Sequence, residues 1–130
     1  MKNYIVYNSV GEILRTGYCP DEMINIQAQA GESVIEGIAN DVTQYMLNNT
    51  VTDKSVMSLS TDKVTITANG IDASITTGLP NPSYIYINGI RQGTLITDGV
   101  LEFTVDTPGV YKIKIESFPY LDYEFEVTAT

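Results

Sequence analysis

Apolar residues recur at every second position in short runs along the C-terminal half of the chain, and each run stops at residues that favour turns. The runs occupy 64–67, 71–75, 84–87, 94–96, 101–105, 110–115 and 123–127, which predicts about seven β-strands. Period-two alternation turns Val64, Ile66 and Ala68 inward. Tyr111, Ile113 and Ile115 alternate with Lys112 and Lys114, and Tyr123, Phe125 and Val127 with Glu124 and Glu126. Antiparallel pairing of these last two strands sets Lys112 and Lys114 across from Glu124 and Glu126.

The punctuation between the runs has identifiable chemistry. Asn69-Gly70, Asn88-Gly89 and Asp98-Gly99 can each take the positive φ of a type I′ turn, and Pro80-Asn81-Pro82 makes a stiff loop between sheets. Thr107-Pro108-Gly109-Val110-Tyr111 places a tyrosine at the start of the penultimate strand. In immunoglobulin-like sandwiches a tyrosine there ties its hydroxyl back to the preceding corner. Antibody domains carry a cysteine two residues further on, where this chain has Ile113. The expected fold class is therefore all-β, with an immunoglobulin-like β-sandwich over 61–130.

The first 55 residues pattern differently. Segments 4–7 and 12–17 read as two strands joined through Asn8-Ser9-Val10-Gly11, and Cys19-Pro20-Asp21-Glu22 breaks the second and opens a short helical turn through Met23 and Ile26. A strand follows at 33–37, then a second hairpin from 43–47 and 50–52 around Asn48-Asn49. An isolated two-stranded hairpin is marginal in water, so this small β-hairpin module has to pair internally, with the sandwich or with other subunits. Residues 53–61 read as a polar connector or an edge strand.

Composition narrows the chemistry. With 43% hydrophobic and 18% charged residues the chain has the material for a packed core. A formal net charge of −9, without a basic cluster in either half, excludes a sequence-independent grip on phosphate backbones, so no nucleic-acid partner is expected. Histidine is absent, which removes His-dependent triads and His-based metal sites, and the single Cys19 cannot form an intramolecular disulfide. Neither a signal peptide nor a membrane-spanning run is expected, which implies assembly in a cytoplasm.

Candidate sites are few. Asp53 and Asp62 lie in polar sequence without the spacing of a calcium loop, and Glu102 and Asp106 share an exposed strand face as solvated charge. No catalytic residue, cofactor or metal is expected. Tyr84 and Tyr86 share one face of a strand and would form a sugar-stacking platform if that face is exposed. The turn Glu116–Tyr123 holds Phe118, Tyr120 and Tyr123, a candidate recognition loop whose alternative role is to plug the end of the sandwich with Phe118 and Leu121.

Several phrases together resemble a known group. Tyr4-Ile5-Val6-Tyr7, Gly11-Glu12-Ile13-Leu14-Arg15-Thr16-Gly17, Cys19-Pro20, Gln27-Ala28 and Gly31-Glu32 look like the opening of small virion-associated proteins encoded among the tail genes of tailed bacteriophages. The phrases from Asp62 to Gly70, Gly78-Leu79-Pro80 and those from Pro108 to Tyr120 are similar to their immunoglobulin-like C-terminal segment. The resemblance implies a non-enzymatic tail or neck component of the virion, docked through 1–55 on other virion proteins in multiple symmetric copies. A capsid decoration protein is the rival within that class. A carbohydrate-binding adhesion module, with a host-surface glycan as ligand, is the rival outside it.

Overall fold

A computed structural model describes all residues from Met1 to Thr130. The chain divides into two compact units, Met1–Ser55 and Val56–Thr130. No helix in it is long and apolar enough to cross a membrane.

In the first unit, β1 (Lys2–Asn8) lies between β2 (Ile13–Cys19) and β3 (Glu32–Glu36), antiparallel to both. The turn before β2 is closed by Asn8, whose Oδ1 accepts hydrogen bonds from the amides of Val10 and Glu12 at 3.2 and 2.9 Å. Gly11 follows with φ +92°, and its carbonyl accepts the Met46 amide at 2.8 Å. Pro20 stops β2, and a 3-10 helix runs over Asp21–Gln27, as the Pro and the two acids predicted. β4 (Gln44–Leu47) and β5 (Thr50–Asp53) form the expected hairpin, with Asn48 and Asn49 both left-handed at φ 51° and 63°. The core of this unit is Ile5, Ile13 and Met46, with Tyr7, Ile35, Ala39 and Val51 packed against it.

The second unit places eight strands in two sheets. β6 (Ser60–Thr61), β8 (Ser74–Thr77) and β11 (Val100–Phe103) form one, in the order β11-β8-β6. β7 (Thr65–Ile66), β9 (Ser83–Ile87), β10 (Ile90–Ile96), β12 (Gly109–Glu116) and β13 (Tyr123–Ala129) form the other, in the order β10-β9-β12-β13-β7. All pairings are antiparallel except that β7 runs parallel to β13. Ile66, Ile85, Ile113, Ile115 and Val127 of the larger sheet share one core with Leu101 and Phe103 of the smaller. Hairpin β9–β10, crossovers from β8 to β9 and from β11 to β12, and a first strand split between the sheets make this an immunoglobulin-like sandwich. The corner is formed as expected: the Tyr111 hydroxyl donates to the Thr107 carbonyl at 2.7 Å, and Ile113 fills the core where antibody domains have cysteine. The Pro80-Asn81-Pro82 loop joins the two sheets.

Three details differ from the sequence reading, and a fourth resolves a choice it left open. Val64 does not turn inward; it is 50% exposed, because β7 is a two-residue edge strand that begins only at Thr65. The strand expected at 71–75 begins at Ser74. Asn69 Oδ1 accepts the amides of Ile71 and Asp72, which holds Ile71 in a turn at 82% exposure. Of the three expected type I′ turns only Asn88-Gly89 has both residues left-handed; at the others only Gly70 and Gly99 do, and the Asn69 and Asp98 side chains bond the backbone beyond them. Of the two readings of residues 53–61, the edge strand is found: Ser60–Thr61 pairs with β8, and Met57 is buried in the sandwich core.

Candidate functional site

The outer face of the five-stranded sheet gathers most of the chemistry of the second unit. Ser83 and Ile85 of β9 point into the core, so alternation turns Tyr84 and Tyr86 outward. The two-residue Asn88-Gly89 turn fixes the register of the hairpin and sets Arg91 directly opposite Tyr86. Asn88 pins this turn to β12, its Oδ1 accepting the Lys112 amide and its own amide reaching the Lys112 carbonyl, both at 2.8 Å.

Two cations occupy the tyrosine rings. The Arg91 guanidinium lies 3.9 Å from the centroid of the Tyr84 ring, and Lys114 Nζ 4.2 Å from that of Tyr86. The Tyr86 hydroxyl stands 3.5 Å from both carboxylate oxygens of Glu116. On β12 and β13 the expected register is found, with Lys112 opposite Glu126 and Lys114 opposite Glu124. Lys114 Nζ approaches Asp122 at 3.9 Å, while Lys112, Glu124 and Glu126 are exposed and make no ion pair. Tyr86, Lys112, Lys114, Glu124 and Glu126 line a shallow groove of about 420 Å³.

A second opening lies on the side of the sandwich where β10 and β11 are both edge strands. Ile87, Ile96, Leu101, Phe103, Val105 and Tyr111 line a cleft there of about 670 Å³. The edge of β10 is irregular, with a break in pairing between Arg91 and Leu95, a device that discourages strand addition.

The candidate recognition loop lies close to the core. Tyr120 and Tyr123 are half-buried and pack against the sandwich core, and the Tyr123 ring sits 5.9 Å from that of Phe125. Phe118 and Leu121 are likewise half-buried. Ser117, fully buried at the root of this loop, donates to the Pro82 carbonyl at 2.7 Å, and the Tyr120 amide returns to the Ser117 carbonyl at 2.8 Å. The three aromatics thus form a packed margin, with their edges left to solvent.

The two carboxylates weighed for calcium are engaged by neighbouring groups. Asp53 accepts from Gln44 Nε2 at 2.9 Å, and Asp62 Oδ1 accepts the Ile75 amide at 2.7 Å. No three Asp, Glu or Cys side chains converge. The hydrogen bonds from Arg15 and from the Gln29 amide hold the Glu32 carboxyl below its ordinary value. A hydrogen bond from Lys63 and another from the Thr67 amide do the same for Asp72, and Lys63 is raised in return. These shifts mark structural pairs that brace loops.

Sequence reasoning put the tyrosines on one face but missed the cations above them. The Asn-Gly turn held the missing signal. A two-residue turn at 88–89 fixes Tyr86 opposite Arg91 by counting, which brings a guanidinium to the tyrosine face.

No family model matches the chain, and no curated protein matches it. Among solved structures it is similar to a glycosyl hydrolase family 2 member from Bacteroides cellulosilyticus, at 12% identity and a TM-score of 0.41 over 99% of this chain and 22% of that one. It is also similar to invasin, a bacterial integrin-binding protein, at 15% identity and a TM-score of 0.39 over 99% of this chain and 32% of that one. The chain thus spans between a fifth and a third of those proteins. At these TM-scores the likeness adds nothing to what the strand order establishes.

Proposed function

We infer that the chain is a non-enzymatic structural component of a tailed-phage virion, a tail or neck accessory protein that docks through its first unit and carries the sandwich as a projecting module. The observation behind the docking role is the apolar surface the first unit leaves uncovered. The unit buries five apolar side chains, Ile5, Val6, Ile13, Cys19 and Met46, while Val10, Tyr18, Ile26, Ile38 and Val42 are all exposed to 60% or more. Five such exposed side chains against five buried ones, in a unit of 55 residues, support an interaction role for it. The virion assignment rests on the sequence resemblance alone.

Deleting residues 1–55 is expected to abolish incorporation into purified particles while residues 56–130 remain folded. Truncated protein recovered on virions would refute the docking role. Copy number then separates the two virion readings, with tens or fewer indicating a tail and hundreds a capsid decoration protein.

The carbohydrate-binding reading has one observation in its favour, the outward direction of Tyr84 and Tyr86. Against it, Arg91 and Lys114 already occupy the ring faces on which a sugar would stack. A glycan array probed with residues 56–130 decides it, and an array without binding removes it.

A further inference from the structure

The outer face of the five-stranded sheet divides into two strips of opposite sign on neighbouring strands. Lys112 and Lys114 on β12 form a basic strip that Glu116 ends, Glu124 and Glu126 on the adjacent β13 an acidic one, and Arg91 lies apart on β10, beyond β9. Residues 56–130 contain four Lys and Arg against nine Asp and Glu, and three of those four cations are on this face. Residues directly opposite in an antiparallel pair have Cβ atoms about 5 Å apart, so Lys112 and Lys114 could close on Glu126 and Glu124 within one chain. They do not. Lys114 turns to Tyr86 and Asp122, and Lys112, Glu124 and Glu126 stand exposed without an ion pair.

Adjacent strips of opposite sign are complementary to a second copy of themselves under one arrangement. A two-fold axis lying in the plane of the face, parallel to the strands and over the boundary between β12 and β13, places β12 of each copy over β13 of the other. An axis running across the strands would set Lys on Lys and Glu on Glu. The groove lined by Lys112, Lys114, Glu124 and Glu126 straddles that boundary.

We propose that this face is an isologous interface between two copies of the chain, with Lys112 and Lys114 of one copy meeting Glu124 and Glu126 of the second. Strands about 4.8 Å apart and about 3.4 Å per residue make the opposed area roughly 15 by 25 Å, about 750 Å² over both copies and below the size of stable specific interfaces. The dimer is therefore weak, dependent on concentration and loosened by salt, as suits a contact made where copies are already held close together. It uses only the sandwich and does not depend on what the first unit docks on.

The test is sedimentation velocity of the full chain at low salt over a wide concentration range, with circular dichroism to confirm folding. Wild type is expected to dimerise, and either Lys112→Glu with Lys114→Glu or Glu124→Lys with Glu126→Lys to weaken the dimer by roughly a hundredfold. An equimolar mixture of these two variants is expected to form a heterodimer, and the fourfold variant that swaps both strips to regain the homodimer. If one variant fails to fold, the other and the fourfold swap still decide. A wild-type chain that stays monomeric throughout overturns the proposal, as does a dimer that survives both double substitutions. The second result would move the contact elsewhere and leave the docking role of the first unit intact.

Discussion

The first unit buries five apolar side chains, Ile5, Val6, Ile13, Cys19 and Met46, and the sandwich buries ten. The chain lengths are 55 and 75 residues. Burial thus differs twofold while the number of residues to be ordered differs by less than half, and the ordering cost scales with that number. The first unit closes its turns with polar side chains, Asn8 at one and Asn40 at another, where Oδ1 accepts the amides of Val42 and Thr43. Such bonds are worth about 1 kcal/mol each and set geometry more than stability. The comparison assigns the larger share of the chain's stability to the sandwich.

Separating the units is the strongest way to break that comparison. Residues 56–130 alone are expected to unfold in one cooperative transition, and residues 1–55 alone to show little fixed tertiary structure, as read by the dispersion of amide resonances. Well-dispersed spectra from both pieces would erase the distinction.

Within the full chain, one substitution in each unit probes the same contrast. In the sandwich, Ile115→Ala removes a side chain with no exposure and is expected to cost about 2–5 kcal/mol, lowering the midpoint of a transition that stays cooperative. In the first unit, Gly11→Ala would place a Cβ 2.0 Å from the Met46 carbonyl oxygen at a φ of +92°. The φ alone costs about 1–2 kcal/mol, and the collision is with backbone, so β4 has to move away. The expected outcome is loss of protection from hydrogen exchange across β1, β2 and β4 with the sandwich unaffected. Tyr111→Phe comes next in size. It removes one bond to the Thr107 carbonyl and is expected to cost about 0.5–1.5 kcal/mol in chemical denaturation of the sandwich, with no change in the first unit.

The sandwich was legible because its signals are local and mutually consistent: alternation on β12 and β13 gave both the inward face and the Lys–Glu register. The error at 71–75 has a physical cause. The inward side chains of β8 are Ser74 and Thr76, buried polar groups that bond the Lys63 carbonyl and the Thr61 hydroxyl, so a hydrophobic pattern placed the strand on its neighbours. The first unit showed its hairpins through Asn8, Gly11 and Asn48-Asn49, but the order β2-β1-β3 joins strands through residues far apart in sequence and left no periodic mark. The tyrosine face was half legible. Alternation gave the shared direction of Tyr84 and Tyr86, whereas the cations above them depend on register across three strands.

The smallest expected effect is the response to acid, and it also separates the units. Glu32 in the first unit and Asp72 in the second both have carboxyls held below their ordinary values of 4.5 and 3.8. A carboxyl depressed in the folded state contributes stability in full above its unfolded value, and loses it as pH falls through the lower folded one. Glu32→Gln keeps the shape but cannot neutralise Arg15. It is expected to flatten the acid response of the first unit below about pH 4.5 and to leave that of the sandwich unchanged, with Asp72→Asn doing the reverse. Lys63 is raised by Asp72, so its contribution has the opposite sense, present below 10.5 and lost as pH rises beyond it. Asp72→Asn therefore also removes an alkaline component from the sandwich that Glu32→Gln leaves in place. Hydrogen exchange measured by unit across the pH range reads both, and added salt is expected to shrink them together because these pairs are partly open to solvent. A Glu32→Gln chain whose first unit kept its full acid sensitivity would show that the Arg15 pair contributes nothing to holding β2 and β3 in place, and that the apolar core carries the unit by itself.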